Sequence, residues 1–226
     1  MELHVEALFM HDENGRMLRV NVAEHIDAPR FFLGRSPSGV VVRFGATLSD
    51  EIADELTELS KEESLDITTR DPVHAADYLK ILEQHSPIKG VFHEQAFDFP
   101  DALQPTASEN VVTITNDNAD LLHPDFEEWL ADIPISQPFV AVVHDGRVVS
   151  LSASVRITPR AHECGIETLP DYRGKGLAQI AATTWAVRVR ELESTPLYST
   201  MWDNAASQRV AAKIGCHHFG TDFYVD

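Results

Sequence analysis

The sequence predicts an α/β protein with a mixed sheet, and three stretches carry this prediction. Residues 163–168 alternate polar and apolar side chains, as a strand does, and an apolar stripe at helical spacing follows a short polar turn. Asp145 and Gly146 separate two apolar runs and are typical of a hairpin turn. A further strand at 197–202 and a helix at 204–214 repeat the strand–helix order. Strands that alternate with helices around one hairpin indicate a mixed sheet.

The composition narrows the class of partner. The chain has 226 residues, 43% of them apolar, and a formal net charge of −18. That length predicts one large core or two modest ones. The negative charge disfavours nucleic acid and anionic membrane as partners, because both bind basic surfaces. It is compatible with an amine acceptor drawn towards an acidic cleft, although acidic residues also serve simply to keep a protein soluble.

The sequence also predicts a compartment. No apolar run approaches the roughly 20 residues of a transmembrane helix, and residues 1–20 do not resemble a signal peptide. Cys164 and Cys216 are the two cysteines, and they do not form a Cys-x-x-Cys pair. These features predict a cytoplasmic protein without a disulfide scaffold.

Residues 1–109 are predicted to form an α+β region, with a boundary near 104–109. The expected elements are a hairpin over 2–22 that turns at 12–15, strands at 31–33 and 40–44, a helix capped by Ser49 that ends near Glu62, a helix that starts at Asp71-Pro72 and ends at His85, and an irregular covering loop over 92–105.

Residues 110–226 are predicted to form a second domain that contains the mixed sheet. The expected elements are a strand at 111–115, a helix within 118–130, hairpin strands at 139–144 and 147–155, a strand at 161–169, a helix at 176–193, a strand at 197–202, a helix at 204–214 and a final strand near 218–225.

The turn between the strand and helix of the first stretch is suited to an anion. Its sequence is Arg173-Gly174-Lys175-Gly176. The glycines let backbone N–H groups point at a ligand, the helix N-terminus adds its positive dipole end, and the two side chains supply charge. The spacing excludes a P-loop and a dinucleotide-binding fingerprint. The turn therefore predicts a phosphate or pyrophosphate site.

Two motifs in the second half occur together in the order and spacing of a known family. They are Arg-x-x-Gly-x-Ala at 173–178 and Asn-x-x-Ser followed by Lys-x-Gly at 204–215. They resemble the Gcn5-related N-acetyltransferase (GNAT) superfamily. Thr-Leu-Pro at 168–170 and Leu-Tyr-Ser-Thr at 197–200 most resemble its FR47-like and glycine-N-acyltransferase-like branch.

The resemblance covers about residues 110–226 and implies a GNAT acyl-CoA N-acyltransferase fold there, with residues 1–109 as an N-terminal α+β extension. The extension is expected to pack on the transferase domain and shape its acceptor side. The implied activity is acyl transfer, acetyl before other acyl groups, from acyl-CoA to a primary amine by direct attack on the thioester. The acceptor is expected to be a small-molecule amine or a peptide, and a homodimer is compatible with the family.

The resemblance also implies which residues bind acetyl-CoA or another acyl-CoA. The backbones of Ile166, Thr168 and Leu169 would contact the pantetheine arm. Asn204 and Ser207 would lie near the arm and the sulfur, although Asn204 serves equally well as a plain helix cap. The pyrophosphate would be wrapped by the six residues Arg173, Gly174, Lys175, Gly176, Leu177 and Ala178.

The catalytic residues are open between alternatives. The family often places a general base on the central strand five or six residues before Thr168, which gives His162 or Glu163. Strand alternation puts these two on opposite faces, and Glu163 is favoured because a nearby carboxylate, Glu167, helps it to hold a proton near neutral pH. His162 is second, because imidazole needs no such help.

The general acid is open as well. The tyrosine that many GNAT relatives use to protonate the thiolate is replaced by Ala211. Ser207, Tyr198 or water would have to take that role. This departure keeps a rival hypothesis, a non-catalytic CoA-binding or regulatory module of the same fold. A purely structural α/β domain would leave the two motifs as coincidence.

A metal site is the remaining alternative. His162 with Cys164, and Cys216 with His217 and His218, could be drawn as zinc ligands. Neither group has the ligand-pair spacing of zinc sites, and adjacent residues on a strand point to opposite faces. The sequence therefore predicts no metal.

Overall fold

The computed structural model describes residues 1–105 and 110–226 and divides into two compact units. The first unit consists of residues 1–97, 199–205 and 218–226, and the second of residues 98–198 and 206–217. The domain boundary predicted near 104–109 falls mainly on residues outside the described ranges, so the division at 109/110 stays a prediction. No helix in the described ranges combines the length and apolar character needed to cross a membrane.

The described ranges contain both α-helices and β-strands, and strict strand–helix alternation occurs over residues 161–225. The α-helices are α1 (Glu2–Leu8), α2 (Asp50–Ser60), α3 (Ala75–His85), α4 (Leu177–Glu191) and α5 (Ala205–Ile214). The strands are β1 (Phe9–His11), β2 (Met17–Val20), β3 (Phe31–Ser36), β4 (Gly39–Phe44), β5 (Val91–Asp98), β6 (Val111–Thr113), β7 (Phe139–His144), β8 (Arg147–Ile157), β9 (Ala161–Thr168), β10 (Thr195–Met201) and β11 (His217–Val225).

In the first unit, strands lie side by side in the order β4, β3, β11, β5, and the β4–β3 and β3–β11 pairs are antiparallel. One face of β3 contributes Phe31 and Leu33 to a core that also contains Leu56 of α2 and Tyr78 of α3. On the opposite face, Phe32 packs in the cluster that includes α1. Both faces of β3 are therefore buried, which explains its unbroken apolar start.

In the second unit, strands lie in the order β10, β9, β8, β7, β6. β10 is parallel to β9, and the other three pairs are antiparallel. Helix α4 packs on β7, β8 and β9 with the fully buried Ala182 and Trp185. The opposite face carries an apolar core around Phe126, Phe139 and Leu151. The predicted mixed sheet is present, with its one parallel pair where the strand–helix–strand order required it.

The N-terminal hairpin was predicted to begin too early, because the residues that precede it form a helix. Residues of its expected first strand form α1, and only β1 and β2 pair across the turn. Val5, Ala7 and Phe9 alternate, but Val5 and Leu8 also stand at helical spacing, and the helical pattern is the one adopted. The turn itself is confirmed, because Asp12 Oδ1 accepts hydrogen bonds from the backbone N–H groups of residues 14 and 16 at 2.9 and 2.8 Å.

The predicted start of α3 was wrong. The helix begins at Ala75 rather than at Asp71-Pro72. The carboxylate of Glu63 accepts hydrogen bonds from the backbone N–H groups of Val73 and His74, each at 2.9 Å. A carboxylate distant in sequence therefore holds the two residues that precede α3, whereas the helix itself has no side-chain cap and the Asp71 carboxylate accepts from Arg70.

Two further elements differ from the predictions. Residues 91–98 form strand β5 rather than an irregular loop, and the neighbouring Ala96 and Phe97 are both buried, so the strand shows no alternation. The helix expected within 118–130 is two short 3-10 helices, Asn116–Leu122 and Glu127–Asp132. Pro124 lies between them and lacks the N–H that a continuous helix needs. The remaining predicted elements are confirmed within a few residues.

We predict that Gly165 is required by the bulge of the neighbouring strand. The β8–β9 register shifts between Ser154 and Arg156, which leaves Val155 as the extra residue. A Cβ on Gly165 would lie 2.3 Å from Val155 Cγ1. Gly165→Ala should therefore lower the free energy of unfolding by about 1–3 kcal/mol, as overpacking does.

Chemical denaturation of the wild type, the two single variants Gly165→Ala and Val155→Ala, and the double variant tests this argument. The Gly165→Ala and Val155→Ala double variant should be more stable than the sum of the single changes implies, because the smaller side chain at 155 removes the clash. Strict additivity of the two changes would contradict the packing argument.

Candidate functional site

The parallel pairing of β9 with β10 ends inside the second unit. Its register runs from Ala161 and Thr195 to Glu163 and Leu197 and then stops, whereas β9 continues to Thr168. The other edge of β9 remains paired with β8 along this length. Residues 164–168 therefore have one edge without a partner strand among the described residues of this unit. Two of the predicted pantetheine contacts, at 166 and 168, lie on this segment.

The turn after β9 has the backbone geometry of an anion cradle. Gly174 and Gly176 have φ of 76° and 82°, in the left-handed region that favours glycine. Gly176 is the N-cap of α4, and it offers no side-chain cap. The first turn of the helix contains no acidic residue. Its N–H groups are therefore available to a ligand, together with the positive end of a 15-residue helix.

The two cations of the turn are not neutralised. Arg173 Nε donates a hydrogen bond to the backbone carbonyl of Thr168 at 3.2 Å. Lys175 Nζ lies 4.6 Å from the centroid of the Tyr172 ring. Neither side chain is paired with a carboxylate within the described ranges. In a chain with a formal charge of −18, this turn is a local positive site.

The other predicted cofactor contacts have different surroundings. The N–H of Leu169 donates to the carbonyl of Val149 at 3.0 Å, and its carbonyl accepts from the N–H of Tyr172 at 2.9 Å. A ligand could therefore use only the second lone pair of that carbonyl. Leu177 and Ala178 form the half-buried first turn of α4. Asn204 directly precedes α5 and belongs to the first unit, so the structure does not group it with the turn.

Tyr198 and Ser207 are brought together. The phenolic oxygen of Tyr198 on β10 is hydrogen-bonded to Oγ of Ser207 on α5. Tyr198 is buried, and burial raises the pKa of its phenol, against the opposite effect of the Ser207 hydrogen bond. The phenol therefore stays protonated at neutral pH, which is the form that can donate a proton.

Glu163 occupies the last paired position of β9 with β10 and is 1% exposed. It stands opposite Arg156 in the β8–β9 register. Glu167, on the same face of the strand, is exposed and accepts a hydrogen bond from Trp129 Nε1 at 2.9 Å. The side chain of Glu163 is thus held in the interior, next to the point where the two strands separate.

His162 lies on the opposite face of β9, which α4 covers. Its Nδ1 is 2.9 Å from Oγ of Ser154, and the same oxygen is 3.1 Å from Nε1 of Trp185. Burial lowers the pKa of His162, which keeps the imidazole neutral. The two residues considered for the general base are therefore separated by the sheet and have different partners.

A ladder of buried serines under α4 was missed by the sequence analysis. Ser150, Ser152 and Ser154 alternate along β8. Ser150 Oγ lies 2.7 Å from Thr168 Oγ1, and Ser152 Oγ lies 3.0 Å from Cys164 Sγ. The Ser-x-Ser-x-Ser pattern inside a buried strand is the signal that could have found it, because each buried hydroxyl needs a partner.

The metal hypothesis has no geometric support within the described residues. No group of three or more histidine, cysteine or acidic side chains is arranged there to hold an ion. Cys164 instead contacts Ser152, and His217 Nδ1 lies 3.4 Å from Asp98 Oδ1 at the surface.

A comparison with protein-family models matches the part of the chain that contains the candidate site. A protein-family model described as GNAT acetyltransferase matches residues 139–221, which contain the glycine turn, α4, β10 and α5. The match supports the GNAT superfamily, and nothing in the comparisons selects its FR47-like or glycine-N-acyltransferase-like branch. No curated protein shows a significant match to the chain.

Solved structures show the same fold. An acetyltransferase from the GNAT family of Colwellia psychrerythraea is 13% identical with a TM-score of 0.50, and the alignment covers 87% of this chain and 81% of that one. A GCN5-related N-acetyltransferase from Sphaerobacter thermophilus is 14% identical with a TM-score of 0.50, covering 83% and 71%. The predicted mixed α/β fold of the GNAT type is confirmed.

We predict that both thiols are inert in the native protein. Burial raises the pKa of Cys164 well above its usual value, and burial together with the charge of Asp98 raises that of Cys216 to about 12. Because the thiolate is the reactive form, a disulfide reagent at about pH 8 should modify Cys216 about 10³-fold more slowly in the folded than in the unfolded chain. Modification of both thiols in 6 M guanidinium is the control. Fast labelling of the native protein would contradict the raised pKa values of the two thiols.

Proposed function

We propose that this protein is an acyl-CoA-dependent N-acyltransferase that transfers an acetyl group from acetyl-CoA to a primary amine. The observation that carries the proposal is the edge of β9 beyond Glu163, which has no partner strand among the described residues of its unit and leads directly into the cationic glycine turn. The edge offers backbone hydrogen bonds to an extended chain that carries amide groups, and the turn offers N–H groups and positive charge to phosphates. The pantetheine and pyrophosphate of coenzyme A have these two chemistries in this order.

The chain's own residues fit this donor. Arg173 and Lys175 lie where the phosphates would approach, and no carboxylate competes for them within the described ranges. Gly174 and Gly176 let the turn adopt its left-handed backbone. Ile166, Thr168 and Leu169 would bind the arm through their backbones, Leu177 and Ala178 would close the turn, and Asn204 and Ser207 would contact the arm near the sulfur.

The proposed chemistry needs two proton transfers, one from the amine and one to the thiolate. When bound, acyl-CoA supplies a thioester: the amine nitrogen bonds to its carbonyl carbon, and the carbon–sulfur bond breaks to release a thiolate. Glu163 accepts the proton that the amine loses, directly or through a water. Tyr198, held by Ser207, donates its phenolic proton to the thiolate and is reprotonated from solvent. The net result is one proton moved from the amine to the thiol.

A non-catalytic CoA-binding module is the second candidate function. Two observations favour it: Ala211 occupies the place of the usual tyrosine, and the carboxylate of Glu163 is 1% exposed. Incubation of acetyl-CoA with a panel of amines, followed by measurement of the released thiol, separates the two. Binding of CoA without thiol release for any amine would favour the module.

Several finer predictions from the sequence enter this proposal unchanged. They are the FR47-like branch, a small-molecule amine or peptide as acceptor, the absence of nucleic acid and membrane partners, a homodimer, a cytoplasmic location and an acceptor-shaping role for residues 1–109.

The first test concerns the donor site. Arg173→Ala should weaken CoA binding about tenfold or more, because a hydrogen bond to a charged group is lost. Gly176→Val should weaken it at least as much, because a β-branched residue strains the left-handed backbone. Isothermal titration with CoA measures both, and Arg188→Ala, which removes an exposed arginine of α4 paired with Glu191, is the matched control. Wild-type affinity in both turn variants would show that the turn does not bind CoA.

The second test concerns the base. Glu163→Gln should lower kcat by about 10²-fold or more and leave the affinity for CoA nearly unchanged, because the amide keeps the shape and loses the basic oxygen. The pH–rate profile should lose its limb at low pH, where the rate rises as the base is deprotonated. Glu191→Gln, which changes an exposed carboxylate of α4 in the same way, is the control. An unaltered pH–rate profile in Glu163→Gln would move the assignment to His162.

A further inference from the structure

A chain of three buried side chains links α4 to β9. Trp185, Ser154 and His162 are 0%, 1% and 5% exposed. The indole N–H of Trp185 can only donate, so Ser154 Oγ accepts its hydrogen bond at 3.1 Å. The same oxygen lies 2.9 Å from Nδ1 of His162.

The direction of the second bond follows from the first. Ser154 still has its own hydroxyl hydrogen, and leaving that hydrogen without an acceptor inside the protein costs free energy. His162 Nδ1 is the acceptor within reach, so this nitrogen carries no hydrogen and the ring proton resides on Nε2. Nε2 itself has no hydrogen-bond partner within the described ranges. The network therefore presents a fixed, neutral N–H donor.

The location of this donor is informative. His162 directly precedes Glu163, the last residue of β9 that pairs with β10. Its neighbours on the same face are Cys164 of β9 and Tyr198 of β10, with Cys216 close to both, and their raised pKa values keep all three neutral. Ser154 and Trp185, which face the ring from β8 and α4, carry no charge.

We infer that Trp185 and Ser154 are positioning residues that fix His162 as its Nε2–H tautomer, and that His162 donates a hydrogen bond to the thioester carbonyl oxygen instead of acting as a base. This inference rests on the proposed acyl transfer. Negative charge develops on that oxygen as the amine nitrogen bonds to the carbonyl carbon, and a preorganised neutral donor stabilises it without moving a proton. Both ring nitrogens are then occupied, which leaves Glu163 as the proton acceptor.

The tautomer is tested in the free protein, without any substrate. In a sample labelled with ¹⁵N-histidine, His162 should show an unprotonated Nδ1 and a protonated Nε2, with shifts constant from about pH 5.5 to 8.5. Comparison with the spectrum of His162→Gln assigns the signal among the eleven histidines. A protonated Nδ1, or a titration near pH 6.5, would overturn the assignment.

Variants of the positioning residues connect the tautomer to turnover. Ser154→Ala should allow both tautomers and lower kcat about tenfold or more at unchanged affinity for CoA. Ser154→Thr keeps the hydroxyl and should retain both the tautomer and the activity. Trp185→Phe removes the donor but keeps an aromatic ring, so part of the His162 population should change to the other tautomer. This variant keeps the test available if Ser154→Ala does not fold. Unchanged kcat in variants that have lost the fixed tautomer would overturn the donor role.

Two substitutions of His162 separate a donor from a base. The amide nitrogen of His162→Gln reaches about the position of Nε2 and can donate, whereas that of His162→Asn reaches only the position of Nδ1. Donation predicts that Gln keeps kcat within about tenfold and that Asn loses about 10²-fold. Equal losses would indicate a base and overturn the inference. A wild-type protein that binds CoA but acylates no amine would instead overturn the proposed function, whatever tautomer is found.

Discussion

The end of parallel pairing between β9 and β10 is the constraint on which the candidate site depends. Three residue pairs join the two strands, and the last contains Glu163. Beyond it, the backbone groups on one edge of β9 have lost their strand partner, and such groups must be satisfied by another chain or by solvent. A ligand with amide groups in an extended chain meets that need by β-augmentation. The carboxylate and the start of the open edge are thus adjacent because they belong to neighbouring residues of one strand.

The interior beneath α4 contains a row of hydrogen-bonded polar side chains. Serines on β8 place small hydroxyl groups against a helix whose buried face is rich in alanine. Each serine hydroxyl has a partner on β9. Apolar residues of similar size would fill the same space, but they could not orient an imidazole. The hydrogen bonds from Trp185 through Ser154 to His162 therefore fix the orientation of the imidazole in addition to contributing to stability.

The sequence predicted those features that depend on local chemistry. Asp145 and Gly146 adopt positive φ, as a two-residue hairpin requires, and Gly174 and Gly176 do the same at the turn. Features that depend on distant residues escaped prediction. The segment just before α3 is held by Glu63, whose carboxylate accepts a hydrogen bond from the N–H of Val73, ten residues further along the chain. The hydrogen bond from Trp185 to Ser154 joins residues 31 positions apart in the sequence, and no periodic pattern of residues predicts it.

The charge of the chain has a consequence for how fast a donor arrives. A polyanionic donor approaches a protein with a formal charge of −18 and meets, at the glycine turn, the cations Arg173 and Lys175, which have no carboxylate partner among the described residues. Within a Debye length, about 10 Å at 0.1 M salt, the two cations dominate, whereas at longer range the acidic surface repels. Moderate salt screens the long-range repulsion more than the short-range attraction, so the association rate should rise with ionic strength. For proteins whose whole surface is positively charged, the rate of association with phosphate-bearing ligands instead falls as ionic strength rises.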